Sequence, residues 1–298
     1  MSVANFKPTL WEGALLANFH SVSVARALST APTSIEGEKV IFNKVGAGTI
    51  KDYEGKVEWD DVDTPKVEMN FPKKKYFAFS LDDADKAQLK SDVMRATTDE
   101  HSSLLAEQND KDFYVELAGG VDAKNVIGSK NTPKKLSSLN VYDYIVDLGT
   151  ILGKRKIPKA NRFVTVDSEV LGLLSKDPRF ISNPKVLANG VVEGQIINNM
   201  QVVVSEEKPS SQIIAHYKGA IGFAMQLNEM EAMRLEGAFA DGIRGLEVYG
   251  AKVLRSEAIA VLHYVVVPTE ETVKTVKVEV TNTEANPVNT KEATSAGA

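Results

Sequence analysis

The chain has 298 residues, of which 43% are hydrophobic and 25% charged, as in an ordinary globular protein. Its net charge of −5 argues against a general nucleic-acid binder, because such proteins present a basic face. It contains no cysteine, which excludes disulfides, thiolate metal sites and cysteine nucleophiles, and none of its apolar runs reaches membrane-spanning length.

The first 38 residues comprise a short helical segment and a following run rich in Ser, Thr and Ala. Trp11, Leu15 and Phe19 fall at helical spacing and share one small apolar face. A helix this short is not stable alone. We therefore expect residues 1–38 to form an arm that packs on the body of the protein or on a neighbouring subunit.

Residues 39–80 show the alternation of apolar and polar residues that is typical of β-strands, interrupted by turn residues. The pattern predicts an extended β-ribbon with little core of its own, and an isolated ribbon is marginally stable in water. We expect this ribbon to lie over an adjacent subunit. The candidate contact residues, two of them from the arm, are Trp11, Phe19, Trp59, Met69 and Phe71. The alternative is that these side chains pack within their own subunit.

The segment 83–118 predicts one long helix of roughly 54 Å, since it contains neither Pro nor Gly. Residues that suit the start of a helix come just before it or at its first position: Ser80, Asp82 and Asp83. Gly119 and the glycine after it end the helix. Its apolar stripe is narrow, which predicts a strut across a flat molecule. The alternative is two shorter helices with a break near Thr97 or Asn109.

Residues 133–217 alternate predicted helices with short strands, as in one compact α/β domain. The elements are a helix over 137–152, a strand over 162–166, a short helix capped by Asp167 or Ser168 and ending at Leu174, hairpins turning at Asn189-Gly190 and Asn198-Asn199, and a strand over 213–217. Their short connections agree with a single domain.

The remaining quarter of the chain predicts strands with one helix between them. Residues 219–227 favour a strand, and Asn228 with Glu231 three residues later predicts a helix that ends at Gly237. Further on, the sequence predicts a strand that includes Leu246, Val248 and Val253, two more strands over 258–267 and 276–280, and a polar tail over 281–298 that we expect to be disordered.

Motifs of known chemistry are not found. The sequence has no GxGxxG unit between a strand and a helix, no GxxxxGK[ST], no GxSxG and no HExxH. The acidic run Asp60–Asp63 lacks the glycine and distal glutamate of an EF-hand loop. The basic runs 73–75 and 154–156 are typical of solvated faces. We predict no catalytic residue, no cofactor and no metal site.

A series of short strings runs along the chain in a specific order: FKPTLWE from Phe6, TIKDY from Thr49, KYFAFSLDDAD from Lys75, VTVDSEV from Val164, the stretch 174–180, the hairpin 194–205, and RGLEVYGAKV from Arg244. In this order and spacing the strings resemble the major capsid proteins of tailed bacteriophages, with the fold of the HK97 and P22-type coat proteins. The resemblance covers nearly all of residues 3–267.

This resemblance implies an α+β, HK97-like capsid fold. Its parts would be the N-terminal arm (1–38), the extended β-ribbon loop (39–80), the spine helix with the first part of the peripheral domain (81–132), the axial domain (133–218), the second part of the peripheral domain (219–268) and a C-terminal tail (269–298). A thin helix, a ribbon without a core and an arm are all parts that neighbouring subunits would complete.

The function implied by the resemblance is structural, without catalysis. The protein would self-assemble as hexamers and pentamers into an icosahedral shell around double-stranded DNA, which it would hold without sequence-specific binding. The resemblance also implies a portal and, because no fused scaffolding segment fits before residue 38, a separate scaffolding protein. We expect a virion protein that assembles in the cytoplasm of a bacterial host and has no membrane partner. Two alternatives are an encapsulin-like compartment and a soluble α/β enzyme with an unfamiliar site in 133–217.

Overall fold

A computed structural model describes residues 23–43, 52, 55, 66–82, 92–180, 191–237 and 239–268 of the protein. The helices are α1 (Val24–Leu28), α2 (Asp92–Gly119), α3 (Val141–Lys154) and α4 (Ser168–Leu174). The strands are β1 (Ser34–Glu36), β2 (Lys39–Asn43), β3 (Lys66–Asn70), β4 (Lys73–Asp82), β5 (Val126–Ile127), β6 (Lys134–Leu136), β7 (Arg162–Val166), β8 (Val191–Ile197), β9 (Met200–Val204), β10 (Gln212–Tyr217), β11 (Ile221–Arg234), β12 (Ala240–Val253) and β13 (Ile259–Val266).

The largest sheet has seven strands in the order β5-β13-β10-β7-β9-β8, with β6 also paired to β13. Strand β10 is antiparallel to β7 and β13, whereas β7 and β9 are parallel. All five residues of β7 are buried, as in a strand that is covered on both faces. Alternate residues serve different cores, since Val164 packs with α3 and α4 while Phe163 packs with α2. The sheet is therefore the middle layer of the subunit.

Two smaller antiparallel sheets lie beside this layer. One has the order β11-β12-β4 and the other the order β1-β2-β3. They share an apolar cluster formed by Val40, Phe42, Met69, Phe71, Ala224 and Val248. Gly250 permits the close approach, because a Cβ at that position would lie 2.5 Å from the ring of Pro72. The sheet β1-β2-β3, which we call the ribbon sheet, therefore packs against the sheet β11-β12-β4 of its own subunit, which we call the three-stranded sheet.

The long helix is continuous over the 28 residues of α2, as predicted, and the alternative of two shorter helices with a break near Thr97 or Asn109 is wrong. Ser80 and Asp82, which the sequence offers as caps for its start, lie in β4, whose ladder with β12 continues to the pair Asp82 and Ala240. Residues 83–91, where the helix was predicted to begin, lie outside the described residues. Its predicted end at Gly119 is confirmed.

The helix predicted from Asn228 to Gly237 is wrong, because β11 continues as a strand to Arg234. Its residues 229–234 pair one by one with residues 241–246 of β12. Asn228 itself lies at an irregularity of the ladder, between Leu227 and Glu229. The backbone pairing of a long hairpin thus overrides a helix-start signal that is only local.

The last strand also corrects the predicted division of the chain. Strand β13, which the sequence predicts to lie in one unit with residues 219–268, pairs with β10 in the middle of the seven-stranded sheet. Strand β4, which the sequence predicts as part of the ribbon, likewise pairs with β12 in the three-stranded sheet, whereas β2 and β3 pair with each other. Both corrections have one cause: the pairing partner of a strand is distant in sequence and leaves no mark in its local pattern.

Predictions that rest on local side-chain chemistry are confirmed. The strand over 162–166 has the predicted bounds, and the Asp167 carboxylate caps α4 by accepting a hydrogen bond from the amide of Val170 at 2.9 Å. Asn198 and Asn199 both adopt positive φ (47° and 62°), as the turn between β8 and β9 requires. The turn predicted at Asn189-Gly190 and the strand over 276–280 lie outside the described residues.

Within the described ranges, none of the helices is long and apolar enough to cross a membrane. The same residues hold no cluster of three or more His, Asp or Glu side chains that could bind a metal ion.

Candidate subunit interface

The three-stranded sheet has one face covered by α2. Alternate side chains of β4 point to this face, where Phe77 and Phe79 stack on the ring of His101, with ring centroids 5.6 and 4.6 Å apart. Phe77 lies over Gly245 of β12, where a Cβ would be 2.5 Å from its ring atoms. The absence of a side chain at Gly245 therefore lets the aromatic layer sit close to the sheet.

The opposite face is covered over only part of its length. The ribbon sheet packs over Ala224 and Val248. Further along, the sheet presents exposed or half-buried side chains from all three strands, which we call the open face. It consists of Tyr76 and Ala78 of β4, Glu231 and Met233 of β11, and Arg244 and Leu246 of β12. The register pairs Tyr76 with Leu246 and Ala78 with Arg244, so these side chains are neighbours.

Two shallow concavities, of 490 Å³ and 420 Å³, lie along the open face. Tyr76 stands at the rim of the first with 79% of its surface exposed. Between the two, the Arg244 guanidinium donates to Oε2 of Glu231 through Nε (2.8 Å) and Nη2 (2.5 Å). Phe239, near the turn that joins β11 to β12, is 82% exposed and adds an apolar group at the end of the hairpin.

This arrangement suits the binding of another protein surface. Exposed apolar side chains that lie together, with an ion pair between them, are typical of protein–protein contacts. Aromatic anchors such as Tyr76 contribute much of the affinity when they enter a desolvated pocket. The open face lacks a nucleophile next to a base, so its side chains do not form a catalytic constellation.

The contact residues predicted from sequence are placed differently. Met69 and Phe71 are 6% and 7% exposed and pack inside their own subunit, as the alternative interpretation held, so little of either side chain is left for a neighbour. Trp11, Phe19 and Trp59 lie outside the described residues. Their contact with another subunit stays a prediction.

Sequence analysis missed the open face for two reasons. The segment 76–80 shows alternation, but aromatic residues fall on both sides of the strand, so the pattern does not say which side is covered. Met233 was assigned to a helix, which separated it from Arg244 and Leu246. The sequence signal that could have found the face is the adjacent pair Tyr76 and Phe77, because consecutive side chains of a strand point to opposite faces and an aromatic ring must then lie on each face.

A family model described as phage capsid protein matches residues 68–262 of this chain. The match begins in β3, includes α2 and all strands of the three-stranded sheet, and ends within β13. Among curated proteins, no sequence matches.

Solved structures share the fold at low sequence identity. A structure from Mycobacterium phage Che8 has a TM-score of 0.57 at 24% identity, over 76% of this chain and 85% of that chain. The capsid of the cyanophage P-SCSP1u has a TM-score of 0.62 at 14% identity, over 80% and 87%. The holo-SrpI encapsulin complex from Synechococcus elongatus has a TM-score of 0.54 at 14% identity, over 80% and 85%.

Proposed function

Because this chain belongs to the phage capsid protein family and has its α+β, HK97-like fold, we propose that it forms the icosahedral shell that encloses the double-stranded DNA of a tailed bacteriophage. It is a major capsid protein of the virion, which self-assembles into a shell and is not an enzyme. The observation that carries the proposal is the family match over residues 68–262, since it includes all three sheets at least in part.

The open face supports an assembly role. A shell subunit must bury apolar surface against its neighbours, and Tyr76, Met233 and Phe239 are apolar groups that the subunit itself leaves exposed. The concavities beside Tyr76 and Arg244 offer room for side chains of a second copy. We propose that hexamers and pentamers of this chain use the open face as one of their contacts, and that the ribbon tip around Trp59 supplies another.

The net charge of −5 supports enclosure of DNA without strong binding. A basic inner surface would hold phosphates tightly and oppose packaging and release, because each neutralised phosphate adds a salt-dependent contribution to the affinity. The proposal includes a separate scaffolding protein, a portal and assembly in the cytoplasm of the bacterial host, which are the partners and the place that such a shell requires.

A second candidate is a compartment shell that holds cargo proteins. It is favoured by one observation, the fold similarity to the SrpI encapsulin complex over 80% of this chain. The two candidates share the shell and differ in its contents. A soluble enzyme, the third interpretation of the sequence, is excluded by membership of a family of structural capsid proteins.

Two measurements test the proposal. Electron microscopy of the purified chain, with polyethylene glycol or a candidate scaffolding protein if needed, is expected to show closed shells or sheets of hexameric and pentameric units. A chain that stays monomeric under all of these conditions would contradict self-assembly. Particles isolated from the natural source are then treated with nuclease. Protected double-stranded DNA supports the virion, and protein cargo without DNA supports the compartment.

A further inference from the structure

A buried glutamate and a buried asparagine join α2 to the three-stranded sheet. Glu247 of β12 is 1% exposed, and Asn109 of α2 is fully buried. The Asn109 amide donates from Nδ2 to Oε1 of Glu247 at 2.7 Å. The two remaining oxygens of the pair, Oδ1 of Asn109 and Oε2 of Glu247, are buried and have no hydrogen-bond partner among the residues that the structure describes. A side-chain pair with two unsatisfied acceptors requires an explanation.

One proton would satisfy both acceptors. If Oε2 carries a hydrogen, the carboxyl group can donate to Oδ1 of Asn109 while Oε1 continues to accept from Nδ2. The carboxyl and carboxamide groups would then exchange two hydrogen bonds in a closed ring. The ionised form would instead place two lone-pair oxygens near each other and a charge in a site closed to water.

We propose that Glu247 is a neutral carboxylic acid that exchanges two hydrogen bonds with the carboxamide of Asn109, and that loss of its proton weakens the junction between α2 and the three-stranded sheet. The proposal rests on the geometry of the pair and does not depend on the assignment as a capsid protein. Burial supports it by raising the pKa of Glu247 to about 7, against the smaller effect of the Asn109 hydrogen bond, which lowers this pKa.

The charged and titratable groups around Glu247 come from three elements. On α2, Asp110 and Asp112 follow Asn109, and on β12 the next residue of the same face is Tyr249, whose hydroxyl donates to Oδ2 of Asp112 at 2.5 Å. On β4, Lys73 places Nζ 3.6 Å from Oδ1 of Asp112. Lys75, which is opposite Glu247 in the ladder, has an exposed side chain. The Lys73 ammonium is thus engaged by Asp112 and the Lys75 side chain extends into solvent, so burial has the larger effect on the pKa of Glu247.

The position of the pair couples the protonation state of Glu247 to the open face through strand β12. Glu247 points to α2, whereas its neighbour Leu246 points to the open face on the other side of the same strand. A change in the hold of α2 on β12 therefore reaches the surface that we assign to subunit contact. This consequence rests on the proposed function, while the proton on Glu247 does not.

Glu247→Gln tests the pair because the glutamine amide can donate from Nε2 to Oδ1 and keep the ring without a titratable proton. Unfolding by denaturant is measured from pH 5 to pH 8 for the wild type and for Glu247→Gln, each as the full chain in its dissociated, single-subunit form. We expect similar stabilities at pH 5. At pH 8 the unfolding constant of the wild type should exceed that of the variant by about a hundredfold, since only the wild type holds a proton that the unfolded chain releases. A ratio independent of pH would overturn the proposal.

Infrared spectroscopy gives a second, independent measurement. At pH 6 the difference between the spectra of the wild type and Glu247→Gln should show the C=O stretch of a buried protonated carboxyl group, which disappears as the pH rises through about 7. Taking the difference removes the contribution of Asp110, whose pKa burial also raises, to about 6. Asn109→Leu removes the partner, so the band should persist and move to higher frequency. If the wild-type band is identical in Glu247→Gln, Glu247 is ionised and the proposal is wrong. This measurement stands even if one variant folds poorly, because it uses the wild type and two separate substitutions.

Discussion

Asp110 of α2 caps the first turn of α1 from a position 86 residues after Val24 in the chain. Its Oδ2 accepts from the amide of Val24 at 3.0 Å, and its Oδ1 accepts from the amide of Ala25 at 2.8 Å and from the hydroxyl of Ser23 at 3.1 Å. Ser23 is at the N-cap position but makes no capping bond with its own side chain. The long helix thus supplies the cap that the short helix lacks.

Replacing Asp110 by alanine should loosen α1. The amides of Val24 and Ala25 would remain buried without acceptors, and we expect a loss of about 2 kcal/mol in the free energy of unfolding. Trypsin should then cut faster after Arg26, which lies in α1 with an exposed side chain. Denaturant unfolding and limited proteolysis measure the two effects. Asp110→Asn keeps one acceptor oxygen and should lose less, so equal losses in both variants would contradict the capping role.

His216 should make the subunit less stable in mild acid. Burial lowers its pKa to about 4, against a smaller opposing effect of its Nε2 hydrogen bond to the Leu28 carbonyl at 3.2 Å. Because the folded pKa lies below the ordinary value of 6.5, the unfolded chain binds the proton first. The stability contribution is therefore complete above pH 6.5 and falls as the pH drops toward 4, by about 2 kcal/mol at pH 5.

The variant His216→Phe separates this effect from those of Asp110 and Glu247, whose raised pKa values make stability fall with rising pH. At pH 7.5 we expect the variant to be about 1 kcal/mol less stable to unfolding than the wild type, because it lacks the hydrogen bond to Leu28. At pH 5 the variant should not show the further loss that protonation of His216 causes in the wild type. Unfolding at the two pH values measures the difference between the proteins. A difference that does not change with pH would show that His216 does not titrate in this range.

Gly245→Ala should destabilise the aromatic layer between β12 and α2. Its Cβ would lie 2.5 Å from ring atoms of Phe77, so the ring must shift and its stacking on His101 is disturbed. We expect a loss of about 1–3 kcal/mol, as for overpacking in a core. Gly172→Ala is the matched control, because Gly172 lies within α4 with open space around its Cβ position and should gain up to about 1 kcal/mol. Thermal unfolding distinguishes the two, and a neutral Gly245→Ala would contradict the close packing.

Tyr76→Glu should leave the subunit folded and impair assembly. The side chain is 79% exposed, so the substitution costs the isolated subunit little, whereas a charge in a subunit contact must be desolvated. A loss of about 2 kcal/mol per contact would raise the concentration needed for assembly about thirtyfold. Size-exclusion chromatography and electron microscopy measure this threshold. Tyr76→Phe keeps the ring and should assemble like the wild type; a Glu variant that also does so would exclude the open face from the contact.

Local side-chain chemistry could be predicted from the sequence because each signal involves residues that are close together in the chain. Asp167 caps α4 from the adjacent position, and Asn198 with Asn199 sets a two-residue turn. The HK97-like fold was also predicted, and the family match with the fold similarities confirms it. That prediction came from the order of several strings, each of which is weak alone.

Relationships between distant residues could not be predicted in the same way. A strong helix-start pattern at Asn228 was overruled by a strand partner that begins 12 residues later, at Ala240. The cap that Asp110 gives to Val24 and the pairing of Asn109 with Glu247 leave no periodic trace, since each residue has an ordinary local pattern. The open face depends on which side of a strand stays uncovered, and that is decided only when the sheets pack.

The place of β13 has a consequence for synthesis. In the seven-stranded sheet β10 lies between β7 and β13. The strands at 162–166 and 212–217 can therefore pair with each other early, but the sheet is complete only when residues 259–266 have been made. A ribosome that has made the first 250 residues holds a chain whose central sheet still has an open edge along β10. Any contact with another copy that depends on this sheet can therefore form only after residue 266 has left the ribosome.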